Sequence, residues 1–141
     1  MTSVDRAAVV FHWENHPALN TAHIIKKLLN RWSFTCKAFG VPNLIAITSE
    51  ALALSDAEIQ FRTAGSLEDA LEGRADVVYV EEGGRDLVGF THPRGATYVF
   101  GSDYGELPSG GAVSITTNNA LHAEVACGVL LHHRSLQWPL R

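Results

Sequence analysis

Residues 98–134 run Tyr98-Val-Phe-Gly-Ser-Asp-Tyr-Gly-Glu-Leu-Pro108, then, after a short spacer, Ala112-Val-Ser-Ile-Thr-Thr117, and finally Leu121-His-Ala-Glu-Val-Ala-Cys-Gly-Val-Leu-Leu-His-His-Arg134. The first piece reads as a buried strand that ends in a glycine-rich loop. The second reads as a short strand with a polar turn, and the third as an amphipathic helix. Two loops at the ends of neighbouring strands can form one ligand crevice, so this stretch decides both the fold and the place to look for a site.

Working outward, the same alternation recurs upstream. Ala7–Trp13 is apolar and β-rich, and Pro17 breaks it. Leu19–Phe39 has helical spacing, with Ile24, Ile25, Leu28, Leu29, Trp32 and Phe39 on one broad face. Asn20 or Thr21 can cap its start, and Gly40 suits the position after its end. Strands are expected at Asn43–Thr48, Glu58–Thr63, Asp76–Val80, Ala96–Phe100 and Ala112–Thr116. The Glu58–Thr63 strand has a mixed period, and Gly83-Gly84 ends the Asp76–Val80 strand. Ser49–Ser55 is a short helix or a connection, Ser66–Glu72 a short helix, and Arg85–Pro93 irregular or a short helix. Leu121–Arg134 is the last helix, capped by Asn118 or Asn119, and Gln137–Arg141 is a tail. Strands alternating with helices predict an α/β fold, a parallel sheet flanked by helices on both faces. Ligands bind such sheets at the carboxyl ends of strands, which places Glu81–Gly83, Gly101–Gly105 and Thr116–Leu121 on one rim.

The 141 residues are one domain by size, 1–141, and 46% are apolar, as in ordinary globular proteins. No run of 18 apolar residues suggests a membrane span, and the first residues do not read as a secretory signal. Cys36 and Cys127 sit in apolar helical contexts and read as the reduced, buried thiols of a cytoplasmic protein. A formal charge of −4 argues against gripping nucleic acid by overall charge. Yet Lys26, Lys27, Arg31 and Lys37 put four of the eleven basic residues into twelve positions. His23, Lys27 and Arg31 are spaced by four and share a helix face. That face is either solvated or a patch for RNA phosphates.

The chemistry-bearing residues offer few independent signals. Gly101–Gly105 is neither a dinucleotide-binding glycine pattern nor a phosphate loop with its lysine, and Ser102 directly follows its glycine, unlike a nucleophile elbow. His132 and His133 are adjacent and are expected to meet the terminal carbonyls of their helix, while His12 and His16 flank a turn. No Cys-x-x-Cys pair occurs, and a metal site is not expected. Glu81 and Glu82 could do acid–base work if their pKa values split, or simply form a solvated rim.

Taken together, the tract resembles the SpoU branch of the SPOUT superfamily of RNA methyltransferases. Val99-Phe-Gly-Ser-Asp-Tyr-Gly-Glu-Leu-Pro108 is similar to the family's strand ending in Gly-Ser/Asn-Glu-x-x-Gly-Leu. Ala120-Leu-His-Ala-Glu-Val-Ala126 and Gly128-Val-Leu-Leu131 are similar to its final motif and helix. His122-Ala-Glu-Val-Ala126 is closer still to the archaeal tRNA cytidine 2′-O-methyltransferases, as is Lys37-Ala-Phe-Gly-Val41. The resemblance implies a C-terminal deep trefoil knot that holds S-adenosylmethionine by the main chain of three loops. By position these loops contain Val80 and Glu81; Phe100, Gly101, Ser102 and Gly105; and Ile115, Thr117, Leu121 and His122. It also implies a homodimer built on the first and last helices, in keeping with Trp32 and Phe34 in the first. The implied reaction is ribose 2′-O-methylation of tRNA or rRNA, with Lys27 and Arg31 on backbone phosphate.

The wording also departs from the family. The Arg that helps activate the ribose hydroxyl belongs six residues before Gly40, where Phe34 stands. Asn20 and Lys26 keep the family's six-residue Asn-to-Arg spacing, Lys37 takes the archaeal Arg position, and Asp103, Ala120 and His122 replace the family's Glu, Ser and Asn. Lys26, Lys37 and His122 are therefore the candidates for the general base. A second implied reading is a degenerate knotted dimer that binds RNA or a protein partner without turnover.

Overall fold

The computed structural model describes residues 6–12, 22–48, 52–54, 58–100, 112–114 and 123–137. The elements are β1 (Ala8–His12), α1 (Ala22–Ala38), β2 (Asn43–Ile47), β3 (Gln60–Ala64), α2 (Leu67–Leu71), β4 (Val77–Asp86), β5 (Thr97–Phe100), β6 (Ala112–Ser114) and α3 (Ala123–Gln137), with a 3-10 turn at Leu87–Gly89. They form one sheet of six strands in the order β3-β2-β1-β5-β4-β6, and every pairing is parallel. The chain builds outward from β1 through β2 to β3. It then crosses back to lay β4, β5 and β6 on the other side. The strand order therefore switches between β1 and β5, where open α/β sheets bind ligands.

The central strands are near-continuous apolar runs because both faces of the sheet are covered. Successive side chains alternate between faces. Val9, Phe11, Leu44, Ala46, Tyr98 and Phe100 point toward α1 and α3, where Leu29, Trp32, Cys36, Ala126, Cys127, Leu130 and Leu131 meet them. Val10, Ile45, Ile47 and Val99 point to the opposite face and pack with Ala70, Leu67 and Leu71 of α2. The mixed period of β3 has a positional cause. It pairs only with β2, at the sheet edge, and Gln60 and Arg62 face solvent while Ala64 is buried.

Local chemistry ends the helices as expected at two places. The Gly40 N–H donates to the Lys37 carbonyl at 3.2 Å and the Val41 N–H to the Cys36 carbonyl at 2.9 Å, with Gly40 at φ 70°. This is the Schellman arrangement, in which a left-handed glycine lets the last carbonyls of a helix find donors. Ser66 caps α2 by accepting the Asp69 N–H at 3.1 Å.

Two elements differ from expectation. β4 does not stop at Gly83-Gly84 but continues to Asp86. Both Val80 and Arg85 face Val113 of β6, so residues 81–84 are looped out of that register and the strand resumes after them. Glycine at two of the four looped positions lowers the steric cost of the excursion. α3 runs to Gln137 rather than stopping at Arg134. The reason is tertiary: the Gln137 amide donates to the Phe90 carbonyl at 2.7 Å and accepts the His92 N–H at 2.7 Å. Of the Ser49–Ser55 segment, residues 52–54 are described and are not helical. Among the described residues, no helix is long and apolar enough to cross a membrane.

Candidate functional site

The carboxyl edge of the sheet is built from aromatic packing. Phe11 of β1 and Phe100 of β5 are register partners. Trp32 of α1 stacks on Phe11 with ring centroids 4.5 Å apart and planes 7° from parallel, and meets Phe100 edge-on at 6.0 Å. All three side chains are buried. Offset stacks and edge contacts are the favoured aromatic geometries, and each adds about 1 kcal/mol beyond burial. The cluster clamps the ends of β1 and β5 where the strand order switches. Trp32 is therefore committed inside its own chain and is unavailable to a partner, contrary to the expectation that it joins Phe34 at an interface.

Tyr79 pairs with Val99, and Val80 pairs with Val113, so Phe100, Val80 and Val113 follow one another along this edge. Val80 is half-buried against the main core and Phe100 is fully buried. Phe100 can offer a ligand its main chain but not its ring. Glu81 begins the looped-out segment of β4. The edge thus brings Val80, Glu81 and Phe100 together, at the end of the strands that lead into the glycine loop. Gly101, Ser102, Gly105, Ile115, Thr117, Leu121 and His122 lie outside the described residues.

The basic candidates lie along α1. Lys26 lies in its amino-terminal half. Lys37 is exposed in the last turn, six residues before Asn43, which pairs with Ala8 at the amino edge of the sheet. A helix rises 1.5 Å per residue, so Lys37 stands roughly 16 Å along α1 from Lys26, toward the edge opposite the rim. Lys27 and Arg31 are exposed and line a shallow open groove of about 470 Å³ together with Asn30, Phe34 and Thr35. Phe34 is 69% exposed. The sequence hinted at the cations through their four-residue spacing. Helical spacing had put Trp32 on the apolar face of α1 and Phe34 off it, and the burial of one and exposure of the other follow that split.

A second polar constellation went unseen in the sequence. His92, on the connection between β4 and β5, places Nδ1 2.7 Å from the Tyr98 hydroxyl and Nε2 2.6 Å from His133 Nδ1. His92 is 1% exposed. Burial pushes its pKa down to about 4, and His133 and Arg134 push in the same direction. The neutral ring has one N–H, so it donates in one of these contacts and accepts in the other. His133 is thus engaged with His92, and the ring of His132 contacts Phe39 edge-on at 6.2 Å. Neither was expected: helix-terminal carbonyls were the anticipated partners. No local signal marks His92, which sits in the Arg85–Pro93 segment that reads as irregular or a short helix. Cys36 and Cys127 are buried and not joined in a disulfide, and desolvation raises the Cys36 thiol to about 12, which makes it unreactive. Among the described residues, no cluster of three or more metal-ligating side chains occurs.

No protein-family model and no curated protein matches the sequence. Solved structures do match. A TrmH-family protein from Porphyromonas gingivalis aligns with TM-score 0.67 and 16% identity over 94% of this chain and 60% of its own. An S-adenosylmethionine-bound rRNA methyltransferase from Sinorhizobium meliloti aligns with TM-score 0.66 and 16% identity, over 96% and 57%. The fold is that of the SpoU/TrmH RNA methyltransferases. A third example of this fold is the SpoU methyltransferase AviRb from Streptomyces viridochromogenes in complex with S-adenosylmethionine, at TM-score 0.64 and 15% identity over 97% and 60%. The chain spans less than two thirds of the length of each of these SpoU/TrmH structures.

Proposed function

We propose that this chain is an S-adenosylmethionine-dependent RNA methyltransferase acting on a ribose 2′-hydroxyl of tRNA or rRNA. The observation that carries the proposal is the SpoU/TrmH fold over almost the whole chain, in which two of the matching structures hold the cofactor. The carboxyl edge fits such a group. Its buried Phe100 and half-buried Val80 offer main chain and apolar surface, and β4 loops out of register beside them at residues 81–84. Val80, Glu81, Phe100, Gly101, Ser102, Gly105, Ile115, Thr117, Leu121 and His122 would hold it, with the C-terminal segment threaded as the trefoil knot of that fold. Such binding uses the backbone and tolerates substitution of the family's Glu, Ser and Asn by Asp103, Ala120 and His122.

Bound S-adenosylmethionine supplies an electrophilic methyl group. The chain supplies position, which accounts for much of the rate enhancement in a displacement of this kind. It also supplies a group to take the hydroxyl proton, for which Lys26, Lys37 and His122 are the candidates. Of the two lysines, Lys26 lies in the half of α1 nearer the rim. Lys27 and Arg31 would hold RNA phosphate. The exposed stripe of Val125, Val129 and Leu136 along α3 supports assembly as a homodimer, and buried cysteines without a disulfide suit a cytoplasmic setting.

Titration calorimetry with S-adenosylmethionine and S-adenosylhomocysteine, followed by transfer of tritiated methyl to tRNA and rRNA, tests the proposal. Binding of both nucleosides with label in RNA ribose is the expected result. Absence of cofactor binding overturns it. Binding without transfer favours a catalytically degenerate dimer that serves as an RNA- or partner-binding module. The exposed phenyl ring at Phe34, where the family carries its activating Arg, motivates that second reading.

A further inference from the structure

The groove on α1 combines two features, a pair of cations and an exposed aromatic ring. Lys27 and Arg31 lie one turn apart, and Arg31 and Phe34 are three apart, so all three share one helix face. Lys27 to Phe34 spans roughly 10 Å along the axis. A single exposed apolar side chain is ordinary on a protein surface. Phe34 is unusual in its company: at 69% exposure it lines the same groove as two cations and the polar side chains of Asn30 and Thr35. The charge setting is equally local. Residues 15–49 contain no Asp or Glu, although the chain as a whole carries −4. A polyanion is therefore attracted to this helix and repelled by the rest of the molecule.

We infer that this groove binds single-stranded RNA, with an unpaired base stacked on Phe34 and the adjoining phosphates on Lys27 and Arg31. Every base presents a π face, so an exposed phenyl ring accepts it without regard to sequence. A paired base is stacked inside its duplex and cannot lie on the ring, so the groove discriminates against double-stranded RNA. Asn30 and Thr35 supply hydrogen bonds to a base edge or a 2′-hydroxyl. The inference rests on the RNA reading above and narrows it to a looped or otherwise unpaired target.

The test is fluorescence anisotropy with a labelled, unstructured RNA 12-mer, and with the same strand annealed to its complement, on the full chain. Sedimentation and thermal melting are run on each variant. The single strand is expected to bind more tightly than the duplex. Phe34→Ala should weaken single-strand binding about 5- to 100-fold, and Phe34→Trp should restore it. Phe34→Leu, which keeps apolar bulk but no aromatic face, should fail to restore it. Replacing Lys27 and Arg31 with Gln should lower the salt slope by about 1.4. The variants should melt like the parent, because the Phe34 ring is exposed. Unchanged binding by Phe34→Ala, or full rescue by Phe34→Leu, overturns the inference while leaving RNA binding intact. Conversion of a dimer to a monomer by Phe34→Ala also overturns it and assigns the ring to self-association. Absence of RNA binding by the parent chain overturns both this inference and the RNA reading beneath it.

Discussion

At the scale of single residues, His92 has the clearest energetic consequence. Its folded pKa of about 4 lies below the ordinary value of 6.5, chiefly because burial penalises the charged ring. Between these values the unfolded chain binds a proton that the folded chain refuses. Stability therefore rises with pH through this window, and is lost as pH falls from about 6.5 toward about 4. Denaturant midpoints measured at pH 7.5 and pH 5 should show this loss. His92→Leu should make the dependence shallower. It should also lower stability at pH 7.5 by about 1–3 kcal/mol, because the Tyr98 hydroxyl and His133 Nδ1 each lose this partner. A His92→Leu variant with the parent's pH dependence would show that another group controls it. None of this was legible in the sequence. His92, Tyr98 and His133 are brought together across 41 residues of chain, and a histidine's burial depends on what closes over it.

At the scale of elements, local chemistry carried further. The helix ending at Gly40 and the strands at 43–47 and 97–100 could be read directly, because the signals are short-range: a left-handed glycine after an apolar periodic run, and β-branched runs between turns. Gly40→Ala places a Cβ at φ 70° and is expected to destabilise the fold by about 1–2 kcal/mol, read as a lowered thermal midpoint. An unchanged midpoint would mean that the α1 terminus is not under this constraint. What local signals missed were continuations. β4 passes through two glycines because β6 waits on the far side to pair with it, and α3 gains a turn because Gln137 finds the chain at Phe90 and His92. The α3 stripe of Val125, Val129 and Leu136 belongs to this scale as well. If the chain forms the proposed homodimer, Val129→Glu is expected to yield a monomer by sedimentation equilibrium with an unchanged circular dichroism spectrum. A Val129→Glu chain that remains dimeric would remove this face of α3 from the proposed interface.

At the scale of the whole molecule, the alternation of strands and helices was enough to predict a parallel, doubly covered sheet. The wording at 99–108 and 120–131 was enough to point to the SpoU resemblance that the fold then matched. The reason is that these features are carried by residue type and spacing: apolar runs must be buried, and glycines must sit where the main chain bends. The strand order, the switch between β1 and β5, and the clamp of Phe11, Trp32 and Phe100 at that switch came only with the tertiary structure. The helical period already put Trp32 on the apolar face of α1 and Phe34 off it, and the tertiary structure decided what covers Trp32 and that Phe34 stays exposed. Two aromatic residues two positions apart in a helix point to opposite sides of it. They become a structural wedge and a candidate base platform only when the rest of the chain packs against one of them and leaves the other uncovered.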